Sequence, residues 1–358
     1  MEPKKIAIIA EWLTSRGGAE NVVFELTKIF PQADIFTTIF NSRLFPELKG
    51  KKITTSFLQK IPIINKKHQL AFPLLPKAIE SLDLSGYDLV ISSSSAFGKG
   101  IKKDKDAFHI CYCHTPMRWV WEPNRDRRLS KIPFNSSIKK MLKKWDLKSN
   151  KGVDLFLANS KNTASKIKKF YGRDAQILYP PVDINSSLKA ENCPKKDYYF
   201  TISRLVSYKK INLAIRACEQ LNRKLLIAGS GPEEKKLRTI AGKNTTFLGQ
   251  IDFSQKVKHY KQAKATIFCA NEDFGIVPVE SLSCGTPVIA YGKGGILEII
   301  EKDKTGILFN KQTVKSLVDG IKKLEKMKFD KTYLEQSAKK FDKIHFEKGF
   351  RELIKNIT

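Results

Sequence analysis

The chain has 358 residues, 41% of them hydrophobic, and a formal net charge of +29. That length makes two domains the default and leaves enough apolar material for real cores. No apolar run approaches the ~20 residues needed to span a bilayer, and six cysteines without framework spacing suit a reducing cytoplasm rather than a disulfide scaffold.

The charge is uneven. Residues 49–151 carry 22 Lys/Arg against 8 Asp/Glu, whereas residues 1–48 carry 5 against 6. A basic block of this kind attracts polyanions: nucleic acid, acidic lipid or nucleotide substrates.

In chain order, Lys5 to Ala10 reads as a buried first strand, and Glu11 directly after it argues against a signal peptide. Gly17 and Gly18 then precede the helical pattern Val22, Val23, Phe24, Leu26. Strand, glycine pair and helix form the geometry of a loop that approaches phosphate or sugar. Strand-like runs recur at 35–38, 87–92, 108–113 and 153–158 with helical stretches between them. This alternation predicts a parallel sheet covered on both faces, with ligands at the carboxyl ends of its strands. Ser92 to Ser95, His114 and Asn159-Ser160 fall on that rim.

His114 lies near His109, Cys111 and Cys113, which raises a metal site. In a strand the last three would share a face and His114 would not. No second ligand pair is present, so no metal is expected. His114 reads instead as a donor or acceptor at a strand end; a solvated loop histidine is the plainer alternative. Residues 137–150 interleave Ile138, Met141, Leu142 and Trp145 with Lys139, Lys140, Lys143 and Lys144. Such a helix can lie on an anionic membrane or simply pack its apolar face on the sheet. Residues 46–68, with six lysines beside Phe57, Leu58, Ile61 and Ile63, add to an expected membrane-facing patch.

Tyr179 to Asp183 breaks regular structure, and a linker is expected from there to Asp197. The second half restarts with a strand at 198–202, followed by Arg204 and Lys209 before a helix at 212–221. Two cations five residues apart at a strand end can clamp a diphosphate. Gly229 to Pro232 is a glycine turn but not a dinucleotide fingerprint, because Glu234 occupies the third glycine position. Phe247 to Ile251 reads as a strand, Gly292 to Gly295 as a flexible loop, and Asp303 to Gly306 as a turn. Ile344, Phe350, Leu353 and Ile354 have helical spacing near the C-terminus.

The most informative stretch is Asn271 to Gly285. It follows the apolar run Ala265 to Ala270 and contains Glu272, Phe274-Gly275, Pro278 and Glu280. Pro278 suits a helix's first turn, and Gly285 suits its end. Amides near Gly275 and Ile276 at such a start bind anions, typically phosphate. Glu280 can accept hydrogen bonds from vicinal hydroxyls such as those of a ribose, and Glu272 can do so for a sugar. A buried junction bearing two solvated glutamates is the plainer alternative.

Glu272 and Glu280 with seven residues between them, the Phe274-Gly275 pair and the Gly285-Thr286-Pro287-Val288 ending resemble the signature of the retaining glycosyltransferases of family 4. The Gly17-Gly18-Ala19-Glu20 and Gly229-to-Pro232 loops resemble that family too. The run His114 to Glu122 resembles the loop of members that build lipid-linked or surface polysaccharides, closest to bacterial mannosyltransferases. Lys210 departs from the pattern, which usually has glycine there.

The resemblance implies an α/β protein of GT-B fold. It implies two Rossmann-like domains facing across a cleft, at 1–180 and 184–341, with a C-terminal helix at 342–358 crossing back to the first. It implies transfer of a hexose, best read as mannose from GDP-mannose, to a hydroxyl of a lipid-linked or polysaccharide acceptor. It assigns Glu272 and His114 to the catalytic group. Donor binding falls to Gly17, Gly18, Arg204, Lys209, Phe274, Gly275, Ile276 and Glu280. The base rim falls to Gly249 and Ile251. No metal or other cofactor is expected beyond the nucleotide diphosphate sugar substrate, and the location implied is cytoplasmic, peripheral to the inner face of the plasma membrane. The alternatives are a nucleotide-sugar 2-epimerase of similar fold and a basic nucleic-acid-binding protein; no nucleic-acid motif is present to support the latter.

Overall fold

The structure is a computed structural model that describes residues 5–61, 71–123, 125, 135–189 and 193–357. Residues 62–68 of the expected basic patch lie outside the described residues. The chain forms two compact units, Met1–Pro181 with Phe346–Thr358, and Val182–His345.

The first unit holds a seven-stranded sheet in the order β3-β2-β1-β4-β5-β6-β7. Its strands are β1 Ile6–Ala10, β2 Asp34–Thr37, β3 Ile53–Thr55, β4 Leu89–Ser94, β5 Phe108–Cys113, β6 Leu155–Ala158 and β7 Gln176–Ile177. All its ladders are parallel. Continuous apolar runs dictate this: β1 is buried along its whole length, as expected of a strand covered on both faces. One apolar layer includes Phe72, Phe97, Trp119 and Leu142. The opposite layer includes Ile8, Val22, Leu26 and Tyr112, and is completed by Phe346, Phe350 and Ile354. These last three come from the helix Lys343–Ile357.

The second unit repeats the logic with six strands in the order β10-β9-β8-β11-β12-β13. They are β8 Tyr199–Ile202, β9 Leu225–Ala228, β10 Thr245–Gly249, β11 Ala265–Phe268, β12 Val288–Tyr291 and β13 Gly306–Phe309, again all parallel. Two α/β units with parallel sheets are the fold class that the sequence pattern implies.

Local chemistry sets the helix ends. Asp252 accepts the Gln255 amide at 2.8 Å while the Gln255 side chain accepts the Asp252 amide at 3.1 Å, a reciprocal cap. The segment 137–150 lies in the helix Asn135–Ser149. Ile138 and Trp145 pack beside buried Leu142 against the first core, whereas Met141 stays 45% exposed. The helix thus spends most of its apolar face on its own unit, as the membrane reading did not require. Beneath it, the buried Lys99 ammonium pairs with the buried Asp146 carboxylate, whose other oxygen accepts Trp121 Nε1 at 2.6 Å. Asp303 turns in the left-handed region at φ 64° and its amide reaches Gly306 O at 2.9 Å.

Candidate active site

In an open parallel sheet, ligands gather where the strand order reverses. In the second unit that place is between β8 and β11, which are hydrogen-bonded neighbours. The loop after β8 carries Arg204 and Lys209; the loop after β11 carries Glu272 to Ile276. Adjoining parallel strands therefore deliver both expected groups to one edge of the sheet.

Arg204 is exposed, and its guanidinium has no ion-pair or hydrogen-bond partner among the described residues. Its loop is held from behind by Gly229 and Gly231. A Cβ at Gly229, where φ is +110°, would stand 2.0 Å from Ser203 O, and one at Gly231 would stand 2.4 Å from Leu205 O. The glycine turn is thus a backing for the arginine loop. Gly249 joins the same support, its carbonyl accepting the Gly229 amide at 2.6 Å. Ile251 lies half-buried against the apolar cluster of Phe200, Ala228 and Val257.

Lys209 places its ammonium 2.7 Å from Glu272 Oε1, with both side chains less than one-fifth exposed. The approach is an ion contact rather than an aligned hydrogen bond. Lys210 sits at φ 55° and caps the next helix, Ile211–Gln220. That left-handed backbone is one glycine adopts without strain, and it identifies Lys209 as the lysine that reaches inward.

The helix Ile276–Ser283 starts at Gly275, whose φ of 117° favours glycine. The amides of Gly275 and Ile276 carry no hydrogen bond among the described residues, so two donors and the positive end of a helix dipole are open. Cys284 and Gly285 end the helix, the latter at φ 68°. The Phe274 ring is buried edge-on against Phe341 at 5.4 Å. It anchors the loop through this packing.

Glu280 lies one turn further on. Its Oε1 meets Lys256 Nζ at 2.6 Å, and its Oε2 accepts the Tyr260 hydroxyl at 2.9 Å. Burial, reinforced by the Glu280 charge, holds the Tyr260 phenol well above its ordinary pKa, so it remains a donor. Sequence reasoning missed both partners. Their spacing of four residues, which puts them on one face of the helix Phe253–Gln262, was the available signal. It also missed the role of Gly294 and Gly295, read as flexible. A Cβ at Gly294 would lie 2.3 Å from Glu272 O, and one at Gly295 would lie 2.3 Å from Asp273 O. The Gly295 amide donates to Glu272 O at 2.9 Å, so this loop clamps the glutamate loop.

In the first unit, Gly17 caps the helix Gly18–Ile29 in extended backbone. Arg16 pins the entry to this loop, donating to Leu44 O at 2.8 Å and pairing with Glu47 at 2.6 Å. His114 is partly buried. Its Nε2 lies 2.8 Å from Ser93 Oγ, and that hydroxyl also reaches Ala19 O at 3.4 Å. Ser93, on the rim expected from the sequence, therefore links His114 to the glycine loop. Burial lowers the His114 pKa to about 4, which keeps the ring neutral at pH 7. His109 is fully buried between Ser92 Oγ at 2.8 Å and Gly152 O at 3.1 Å, and burial lowers its pKa to about 4 as well. No group of three His, Cys, Asp or Glu arranged to hold a metal occurs among the described residues.

Two sequence-family models match. That of "Glycosyltransferase Family 4" covers residues 16–186 and that of "Glycosyl transferases group 1" covers residues 184–341. The human alpha-1,3/1,6-mannosyltransferase ALG2 is 28% identical over 279 residues, 67% of this chain and 64% of that protein. The chain thus spans less than two thirds of that relative's length. A Mycobacterium tuberculosis GDP-mannose-dependent alpha-(1-6)-phosphatidylinositol monomannoside mannosyltransferase is 26% identical over 205 residues, 48% of this chain and 53% of the other. Among solved structures, Anabaena Alr3699/HepE in complex with UDP-glucose superposes with a TM-score of 0.70 at 17% identity, over 98% of this chain and 99% of its own. That likeness is one of fold. With both domain models in tandem and a GT-B fold, the chain belongs to the family 4 glycosyltransferases.

Proposed function

We propose that the protein transfers a hexose from a nucleotide diphosphate sugar to an acceptor hydroxyl, with retention at the anomeric carbon. One observation carries this reading. At the β8/β11 edge a guanidinium and two amides, without partners among the described residues, stand with two carboxylates. The cations and amides suit a diphosphate, and the carboxylates suit hydroxyl groups. Arg204, Lys209 and the Gly275 and Ile276 amides would stabilise the charge that grows on the departing diphosphate. Glu280, fixed by Lys256 and Tyr260, would hold the ribose, and Glu272 the sugar. Gly249 and Ile251 would border the base. In the first unit, neutral His114 would exchange a hydrogen bond with substrate without adding charge, and Gly17 and Gly18 would let substrate approach the backbone.

The donor we favour is GDP-mannose and the acceptor a lipid-linked or polysaccharide hydroxyl. The support is that both relatives above are mannosyltransferases, one of them named for GDP-mannose and phosphatidylinositol monomannoside. Calorimetric titration with GDP-mannose and UDP-glucose tests the donor, and mass spectrometry of a lipid-linked acceptor tests the transfer. Failure of every nucleotide sugar to bind would remove the reading. Conversion of the donor without acceptor would favour a 2-epimerase.

Contact with an anionic membrane surface on the cytoplasmic side belongs to the same proposal. No described helix is long and apolar enough to cross a membrane. The support is that Lys140, Lys143, Lys144, Met141 and Leu147 are exposed on the helix Asn135–Ser149. Equal binding of the wild type and a variant neutralised at these lysines to acidic liposomes would discard it.

A further inference from the structure

The two cations of the proposed diphosphate site differ. Arg204 has no partner among the described residues, whereas Lys209 already carries a counterion, Glu272, at 2.7 Å. The Glu272 backbone cannot withdraw, because Gly294 and Gly295 press on its loop with no room for a Cβ and the Gly295 amide holds its carbonyl. The pair is also shielded. Both side chains are under one-fifth exposed, and the ammonium lies 6.0 Å from the centre of the Phe268 ring. Screening by water is weaker there than at the surface.

We infer that Glu272 discriminates the sugar-bearing donor from its spent nucleotide diphosphate. This rests on the donor-binding reading above and extends it to product release. A carboxylate fixed beside Lys209 cancels part of the attraction for any diphosphate and repels the phosphates directly. Once the sugar has left, the terminal phosphate gains a second ionisation, with a pKa near 6, and hence extra negative charge at pH 7. The penalty is therefore larger for the product than for the donor. The donor also recovers part of it, because its sugar hydroxyls donate to the same carboxylate. The product has no hydroxyl to offer at that position. Glu272 thus makes the site hold an intact donor and let go of what remains.

The test is calorimetric titration of GDP, UDP and GDP-mannose into wild type, Glu272→Gln, Glu272→Ala and Lys209→Met, with melting curves to confirm folding. Neutralising Glu272 should tighten the nucleotide diphosphate that binds wild type by about tenfold, roughly the 1.4 kcal/mol of one moderately shielded charge contact. The sugar donor should gain less or lose affinity, so the two constants converge or cross. In a Lys209→Met background Glu272 loses its counterion and still repels the phosphates, so Glu272→Gln should tighten the diphosphate at least as much. If both Glu272 variants fold and bind the diphosphate within about twofold of a wild type that does bind it, this inference is overturned while the donor site survives. If neither a diphosphate nor GDP-mannose binds wild type, both fall together.

Discussion

The two units contain the same topological feature with opposite occupancy. In each sheet the strand order reverses once, at β1/β4 in the first and at β8/β11 in the second. In each, a loop at the carboxyl end of the second strand presents a run of backbone amides. In the first unit these amides are consumed by the protein itself. Glu11, the residue directly after β1, places Oε1 within reach of the amides of Ser95 at 2.8 Å, Ala96 at 2.5 Å, Phe97 at 2.6 Å and Gly98 at 3.0 Å. In the second unit the amides of Gly275 and Ile276 have no such guest. Topology supplies a place for an anion, and in the first unit one side chain of the protein fills it.

Removing the internal anion should have the largest effect. Glu11→Ala leaves the buried amides of Ala96, Phe97 and Gly98, the partly buried Ser95 amide and the Ser94 hydroxyl unmatched, and should cost about 4 kcal/mol in urea unfolding. Nucleotide affinity of the folded fraction should not change; a change would blur the division between the two places. Acid should separate the units next. Burial holds the fully buried His109 near a pKa of about 4, against an ordinary 6.5. Asp154 opposes this shift and Lys103 and Lys99 assist it. Between these values the unfolded chain binds a proton that the folded chain refuses. Stability should therefore fall as pH drops from 6.5 towards 4, by about 3 kcal/mol for this ring. A His109→Gln variant should remove about half of the fall in urea midpoints over that window, because the buried His114 ring refuses a proton there too, and an unchanged profile would place the acid sensitivity elsewhere.

At the open place the effects should be smaller and confined to binding. Arg204→Ala should weaken the donor by about thirtyfold, near 2 kcal/mol for charge-assisted bonds, with unfolding unchanged. Lys256→Met should weaken it by about fivefold, or roughly 1 kcal/mol, because Glu280 keeps Tyr260 and loses only a partly exposed ion pair. Calorimetry on both variants orders them; a reversed order would shift the weight of binding from the phosphates to the ribose.

Much of this was legible in the sequence. Uninterrupted apolar runs such as Ile6–Ala10 reveal buried parallel strands because both faces are covered. Gly275 and Gly285 announce the ends of a helix because few other residues tolerate their backbone angles. Pairings between distant segments were not legible. Nothing near Glu272 in the chain indicates that Lys209 sits on it, and Glu11 looked like a charge ending a strand. Helical spacing showed that residues 137–150 have an apolar face, but spacing cannot say what covers it. Here Ile138, Leu142 and Trp145 meet their own core. Glycines 294 and 295 read as loose because permissive backbone and close approach use the same residue.

The helix Lys343–Ile357 has a consequence for how the chain is made. Phe346, Phe350 and Ile354 complete an apolar layer whose other members come from the first half of the sequence. At ribosomal speeds of about 5–20 residues per second, synthesis of the intervening stretch takes roughly ten to thirty seconds. For that interval the earlier half keeps a face uncovered, and the second unit, complete at His345, is finished about a dozen residues before the covering helix ends at Ile357. A nascent-chain experiment should find the second unit protease-resistant before the first, an order opposite to that of translation.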